Sequence, residues 1–111
     1  MAAPEIVEKV RAYLEGLRAS GFEVSFGVLF GSYARGDTDR WSDIDLLVIS
    51  PRFDGRKNRS DIDRLWLATL DADERIEPVP CGLLEWTTDA SRPLVEIARR
   101  EGDKIELDAA S

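Results

Sequence analysis

The stretch FEVSFGVLFGSYARGDTDRWSDIDLLVIS, Phe22–Ser50, decides the fold. Its first part alternates: Phe22, Val24, Phe26, Val28 and Phe30 fall on one face of a strand, at the period of two that an extended chain requires. The other face passes from Glu23 and Ser25 to Gly27, Leu29 and Gly31, so small residues gather where the strand ends. A second strand, SDIDLLVIS, is closed by Pro51. Between the two strands, and at the start of the second, Asp37, Asp39, Asp43 and Asp45 crowd into nine residues. Such crowding is costly unless something positive meets it.

Side chains at i and i+2 of a strand share a face, with Cα atoms roughly 6.5 Å apart. Asp43 and Asp45 therefore project together, while Ile44 and Leu46 enter the apolar side. Two ionised carboxylates held this way call for a hard cation, and Mg²⁺ characteristically takes one or two carboxylates plus substrate phosphates. The preceding residues supply a phosphate cradle. Gly31 lets backbone approach a ligand, Ser32 offers a hydroxyl and an N–H at the start of a short turn, and Arg35 stands one turn on to face an anion. A third acid would complete a two-metal site. Glu77, in a later strand, is the best placed; Asp71, Asp73 and Glu74 lie nearer a helix end and read as solvated.

Working outward, Met1–Leu17 carries Ile6, Val10, Tyr13, Leu14 and Leu17 at helical spacing, with Pro4 suited to a first turn. PRFDGRKNR (51–59) reads as a loop with a solvated basic surface. Ser60 can cap a helix whose buried stripe is Ile62, Leu65, Trp66 and Leu70. RIEPVP (75–80) is a third strand that Pro78 and Pro80 push to a sheet edge. RPLVEIARREG (92–102) is a helix with Ser91 as cap and Gly102 as stop, and KIEL (104–107) a last short strand. The order predicts an α/β (α+β) domain over 1–107, a small mixed β-sheet with helices packed against it, and a disordered tail at 108–111.

Composition excludes several chemistries. The 111 residues include no His, which removes His-ligated zinc and Ser-His-Asp catalysis, and one Cys, which removes an intrachain disulfide. Cys81 reads as a small buried residue, and Trp66 as core; Trp41 and Trp86, beside loops, are open to base stacking or partner contact. A net charge of −7 argues against non-specific grip on nucleic acid. With no signal-peptide h-region and no apolar run of membrane length, the expected setting is the cytoplasm. The acidic run is not an EF-hand: counted from Asp37, Ser42 and Val48 stand where Gly and Glu are required. Nor do the glycines make a Walker A loop, since no Gly-Lys-Ser/Thr follows.

GSYARGDTDRWSDIDLLV, Gly31–Val48, resembles the signature of the minimal nucleotidyltransferases of the DNA polymerase β superfamily: Gly-Ser, about ten residues, then Asp-x-Asp. The resemblance implies the polymerase-β-like nucleotidyltransferase fold and transfer of a nucleoside monophosphate, AMP from ATP, to an acceptor hydroxyl with release of pyrophosphate. It implies phosphate contacts at Gly31 and Ser32, and Mg²⁺ held by Asp43 and Asp45, with two ions expected and Mn²⁺ able to substitute. The family's third carboxylate, often Asp, maps to Glu77. The chain offers no second domain for an acceptor, so a dimer mate or a protein partner must supply one. Members of this minimal family resemble antitoxins that neutralise a helical HEPN-type ribonuclease toxin by AMPylation. The alternative is a non-catalytic module of the same fold that blocks its partner by contact.

Overall fold

The computed structural model describes residues 3–31, 43–88 and 92–107. A first helix, α1 (Pro4–Ala19), buries Ile6, Val10, Tyr13, Leu14 and Leu17, the five residues of the sequence stripe. Pro4 stands in its first turn, where a missing N–H costs nothing. Gly21, at φ 93°, turns the chain away from the helix end. Strand β1 (Phe26–Phe30) and strand β2 (Ile44–Ile49) then pair antiparallel. A short 3-10 turn at Pro51–Phe53 leads to helix α2 (Arg59–Thr69), strand β3 (Ile76–Cys81), helices α3 (Leu83–Thr88) and α4 (Pro93–Glu101), and strand β4 (Asp103–Glu106). The sheet order is β3-β2-β1-β4, with β2 and β3 parallel and the β1–β2 and β1–β4 pairs antiparallel. It is the small mixed sheet flanked by helices that the sequence predicts.

Both faces of the sheet are covered. Leu29, Ile44, Leu46, Val48, Ile76 and Ile105 join the buried residues of α1 and Leu65 of α2 in one cluster. Val28, Phe30, Leu47, Ile49 and Cys81 meet Val95 and Ala98 of α4 in the other. The hydrophobic run in β2 follows from this, since a strand buried on both faces has no polar side to show. Gly27 sets how close α1 comes: a Cβ there would stand 2.6 Å from Leu14 Cδ1. The Tyr13 hydroxyl donates to the Leu65 carbonyl at 2.6 Å and ties α1 to α2.

Edge placement of β3 agrees with its prolines. The carbonyls of Arg75 and Cys81 accept from Ile44 and Ser50, so odd-numbered residues of β3 face β2. Pro78 and Pro80 then lack their N–H on the open edge, where no ladder needs it. Arg92 covers that edge by donating to the Pro80 carbonyl at 3.2 Å.

Several expectations fail for local reasons. The β1 strand begins at Phe26, and Phe22 and Val24 are buried in the cluster opposite to that of Phe26, Val28 and Phe30, so the five do not share one face. Asn58, not Ser60, caps α2; its side chain accepts from the Ser60 N–H at 2.8 Å. The buried face of α2 is Asp61, Leu65 and Thr69, while Trp66 and Leu70 are 47% and 64% exposed. Asp61 is buried because Arg52 binds it with two N–H groups, at 2.7 and 3.2 Å. Arg52 is thus an anchor that also lies 5.0 Å over the Phe22 ring, not part of a merely solvated patch. Arg92 stands at the N-cap of α4 without a side-chain cap hydrogen bond, and Ser91 lies outside the described residues, as does the 108–111 tail.

Candidate active site

Strand pairing gathers acids at one end of the sheet. In the parallel β2–β3 ladder Asp45 stands opposite Glu77, one step from the Ile44–Ile76 pair. Asp43 precedes β2 and shares the parity of Asp45, so all three carboxylates belong to one face. It is the face of Leu47 and Ile49, away from α1 and α2. Asp45 and Glu77 are half-buried and Asp43 is exposed. Glu77 titrates above the usual carboxylate range: burial disfavours its charge, and Asp43 and Asp45 add their negative charge and accept a hydrogen bond from its protonated form. The three groups therefore sense one another directly.

β1 contributes the opposite wall. Phe30 pairs with Asp45, and Gly31 follows at the strand end with φ 75°. A Cβ on Gly31 would run into Asp45 Oδ2. Sequence reasoning gave Gly31 a role towards phosphate. It missed that the bare Cα also makes room for the carboxylate, because only the cross-strand register brings the two together. Ser32 and Arg35, the other expected nucleotide contacts, lie outside the described residues, as does Trp41.

An all-oxygen set of three carboxylates suits a hard divalent cation in kind. Among the described residues no group of three or more His, Cys, Asp or Glu is already disposed to hold a metal ion. The acids are brought to one place by the strand register without being closed around a centre.

Two other acids near β3, Asp73 and Glu85, are committed elsewhere. Asp73 is not a solvated residue: Arg75 holds its carboxyl well below the usual range, with an Nη2–Oδ2 distance of 2.7 Å, and Lys9 approaches at 3.3 Å. Glu85 accepts from Arg92 at 2.8 Å, from the Gly82 N–H at 3.1 Å and from Lys57 at 3.3 Å. Burial pushes Glu85 up, but Arg92 and the Gly82 N–H outweigh it and leave the group lowered. Cys81 is fully buried as expected, its thiol pushed up to about 12 by burial and then by the Glu85 charge. Trp86 is a packing residue, edge-on to Phe26 at 5.9 Å and under the Arg99 guanidinium at 5.5 Å. Both contacts tie the ring into the α4 side of the fold.

Comparison with curated proteins gives no match. Among solved structures, the chain is similar to a proposed nucleotidyltransferase from Sulfolobus solfataricus, with 20% identity and a TM-score of 0.57 over 90% of this chain and 78% of that one. It is also similar to a chain in a toxin–antitoxin structure with AMP-PNP, with 23% identity and a TM-score of 0.60 over 92% of this chain and 73% of that one. At such identities the likeness is one of fold. The family model of the nucleotidyltransferase domain matches residues 8–104, nearly the whole of the sheet and its helices, and the chain belongs to that family.

Proposed function

We propose that this nucleotidyltransferase domain moves a nucleoside monophosphate, AMP from ATP, to a hydroxyl of a protein partner in a Mg²⁺-dependent reaction, as an antitoxin would modify a HEPN-type toxin. The observation that carries the reading is the register that sets Glu77 beside Asp45 and within reach of Asp43. Three acids gathered on one face at a sheet end, with Gly31 making room for Asp45, repel one another less once a cation joins them.

Asp43 and Asp45 would hold the ion, with Glu77 as the third carboxylate. When bound, Mg²⁺ or Mn²⁺ supplies charge neutralisation for the triphosphate and acidifies the attacking hydroxyl. The acceptor oxygen attacks the α-phosphorus, the bond to pyrophosphate breaks, and the hydroxyl proton leaves for a base. Glu77, beside Asp45 on the same sheet face, is the carboxylate that would assist as that base. Gly31 keeps Asp45 seated by offering no Cβ. Ser32, the Gly31 backbone and Arg35 would steady the β and γ phosphates, so that pyrophosphate departs from a fixed position.

A protein acceptor fits the charge and size of the domain. A chain of net charge −7 repels free nucleic acid, whereas a partner rich in Lys and Arg is steered to it. The test is intact-mass spectrometry of a protein that co-purifies with the chain, after incubation with Mg²⁺ and ATP. Added nucleoside monophosphate units are expected, and they disappear with Asp43→Asn. A partner that binds but stays unmodified would overturn transfer and leave neutralisation by contact.

A further inference from the structure

The exposed side of α2 carries apolar residues that the proposed chemistry does not use. Leu67 and Leu70 are 63% and 64% exposed, beside the half-exposed Trp66. Next to them a groove of about 350 Å³ runs between α1 and α2. Ala12 and Gly16 of α1 and Ala68 of α2 line it beside the buried Tyr13 and Leu17, with Arg64 and Asp71 also in its lining. A Cβ on Gly16 would meet nothing within 4 Å, so there is room beside it for an incoming side chain. Monomeric surfaces seldom leave several large apolar side chains exposed together without a use.

The charges on the rim say what fits. Arg64 lies on α2 and Asp71 in the turn just past its end, and both line the groove together with Leu67 and Ala68, which fall between them in sequence. Arg64 is held in place: its Nη2 donates to the Ser20 carbonyl and hydroxyl at 3.1 Å each, and its guanidinium lies 5.1 Å over the Phe22 ring. A guanidinium has five N–H donors, so others remain for a second carboxylate. Asp71 forms no ion pair within the chain among the described residues. A surface that offers a knob, a hole, a cation and an anion side by side has what a self-complementary contact needs.

We propose that this face binds a second copy of the chain, with α2 packed antiparallel to its mate about a two-fold axis passing between Leu67 and Ala68. That register puts Arg64 beside the partner's Asp71, and Asp71 beside the partner's Arg64. Leu67 of each copy enters the groove of the other, over Ala68 and Gly16. Repulsion between two chains of net charge −7 is screened beyond about 8 Å at physiological ionic strength, while the two ion pairs act at contact. The groove lies on the α1–α2 side of the sheet and the three acids on the other, so both catalytic faces of the dimer stay open. The inference stands apart from the proposed reaction.

Sedimentation equilibrium over a dilution series tests it. The wild-type chain is expected at twice its 12.4 kDa, and Leu67→Asp is expected to weaken the dimer by at least about thirtyfold. Arg64→Glu and Asp71→Lys alone should each be monomeric, having like charges across the axis. An equimolar mixture of those two variants should dimerise again, because each bad pair becomes a good one. A monomeric wild type, or a dimer indifferent to Leu67→Asp, overturns the proposal. Failure of the mixture to recover overturns the two-fold register.

Discussion

Gly31→Ala should cost more than its backbone conformation alone demands, and the chain contains its own control. Gly31 and Gly55 have almost the same dihedral, φ 75° and 73°. A Cβ at Gly55 meets nothing within 4 Å, whereas at Gly31 it collides with Asp45 Oδ2. Placing an L side chain in the left-handed region costs about 1 kcal/mol at either site. At Gly31 the displaced carboxylate adds about 1.5 kcal/mol, as overpacking a filled position does. Urea denaturation followed by Trp fluorescence reads the difference. With a slope of about 1.5 kcal/mol per molar, the excess lowers the midpoint by about 1 M relative to Gly55→Ala. In an Asp45→Ala background the excess should vanish, because the colliding group is gone. Equal midpoints for Gly31→Ala and Gly55→Ala would refute the contact between Gly31 and Asp45.

Glu77→Gln should stabilise the ligand-free chain at neutral pH. A carboxyl whose folded pKa is raised favours the fold below its ordinary value of 4.5 and loses that contribution as pH rises through the folded value. The advantage of the Gln variant should therefore shrink towards zero in melts below about pH 4.5, and an advantage that grows on acidification would contradict the sign. Asp61→Ala should lose about 2 kcal/mol in the same urea assay, since it removes a charged hydrogen-bonded partner from Arg52. A loss under about 0.5 kcal/mol would mark the pair as a surface contact.

The sequence carried what depends on local period and spacing. All five apolar positions of α1, the edge placement of β3, the last short strand and the shared face of Asp43 and Asp45 follow from those alone. What escaped it depends on who lies across the sheet or beyond the turn. Trp66 fits a helical stripe, but α2 turns a different arc inward because Arg52, nine residues earlier, pulls Asp61 into the interior. Helix α3 was not foreseen. Its start relies on the Asp54 carboxylate accepting from the Leu84 N–H at 2.9 Å, thirty residues away in sequence. Phe22 and Val24 continue the alternation of β1 in letters only, for the regular strand begins after them. The choice of Glu77 over Asp73 rests on strand context; in the structure Asp73 is paired with Arg75 and Lys9. Only the parallel register, set by two strands far apart in sequence, discloses that Glu77 stands opposite Asp45.

Titration of Mn²⁺ into the chain with a non-hydrolysable ATP analogue, read by the loss of free-ion magnetic resonance signal, tests the central claim most directly. The account predicts saturable binding that weakens at least tenfold in Asp43→Asn and in Asp45→Asn, weakens in Glu77→Gln, and is unchanged in Asp73→Asn. Removing one of few carboxylate ligands should cost about 1.4 kcal/mol or more, the equivalent of that factor. Binding that survives both Asp43→Asn and Asp45→Asn, or that fails with Asp73→Asn instead, would contradict it.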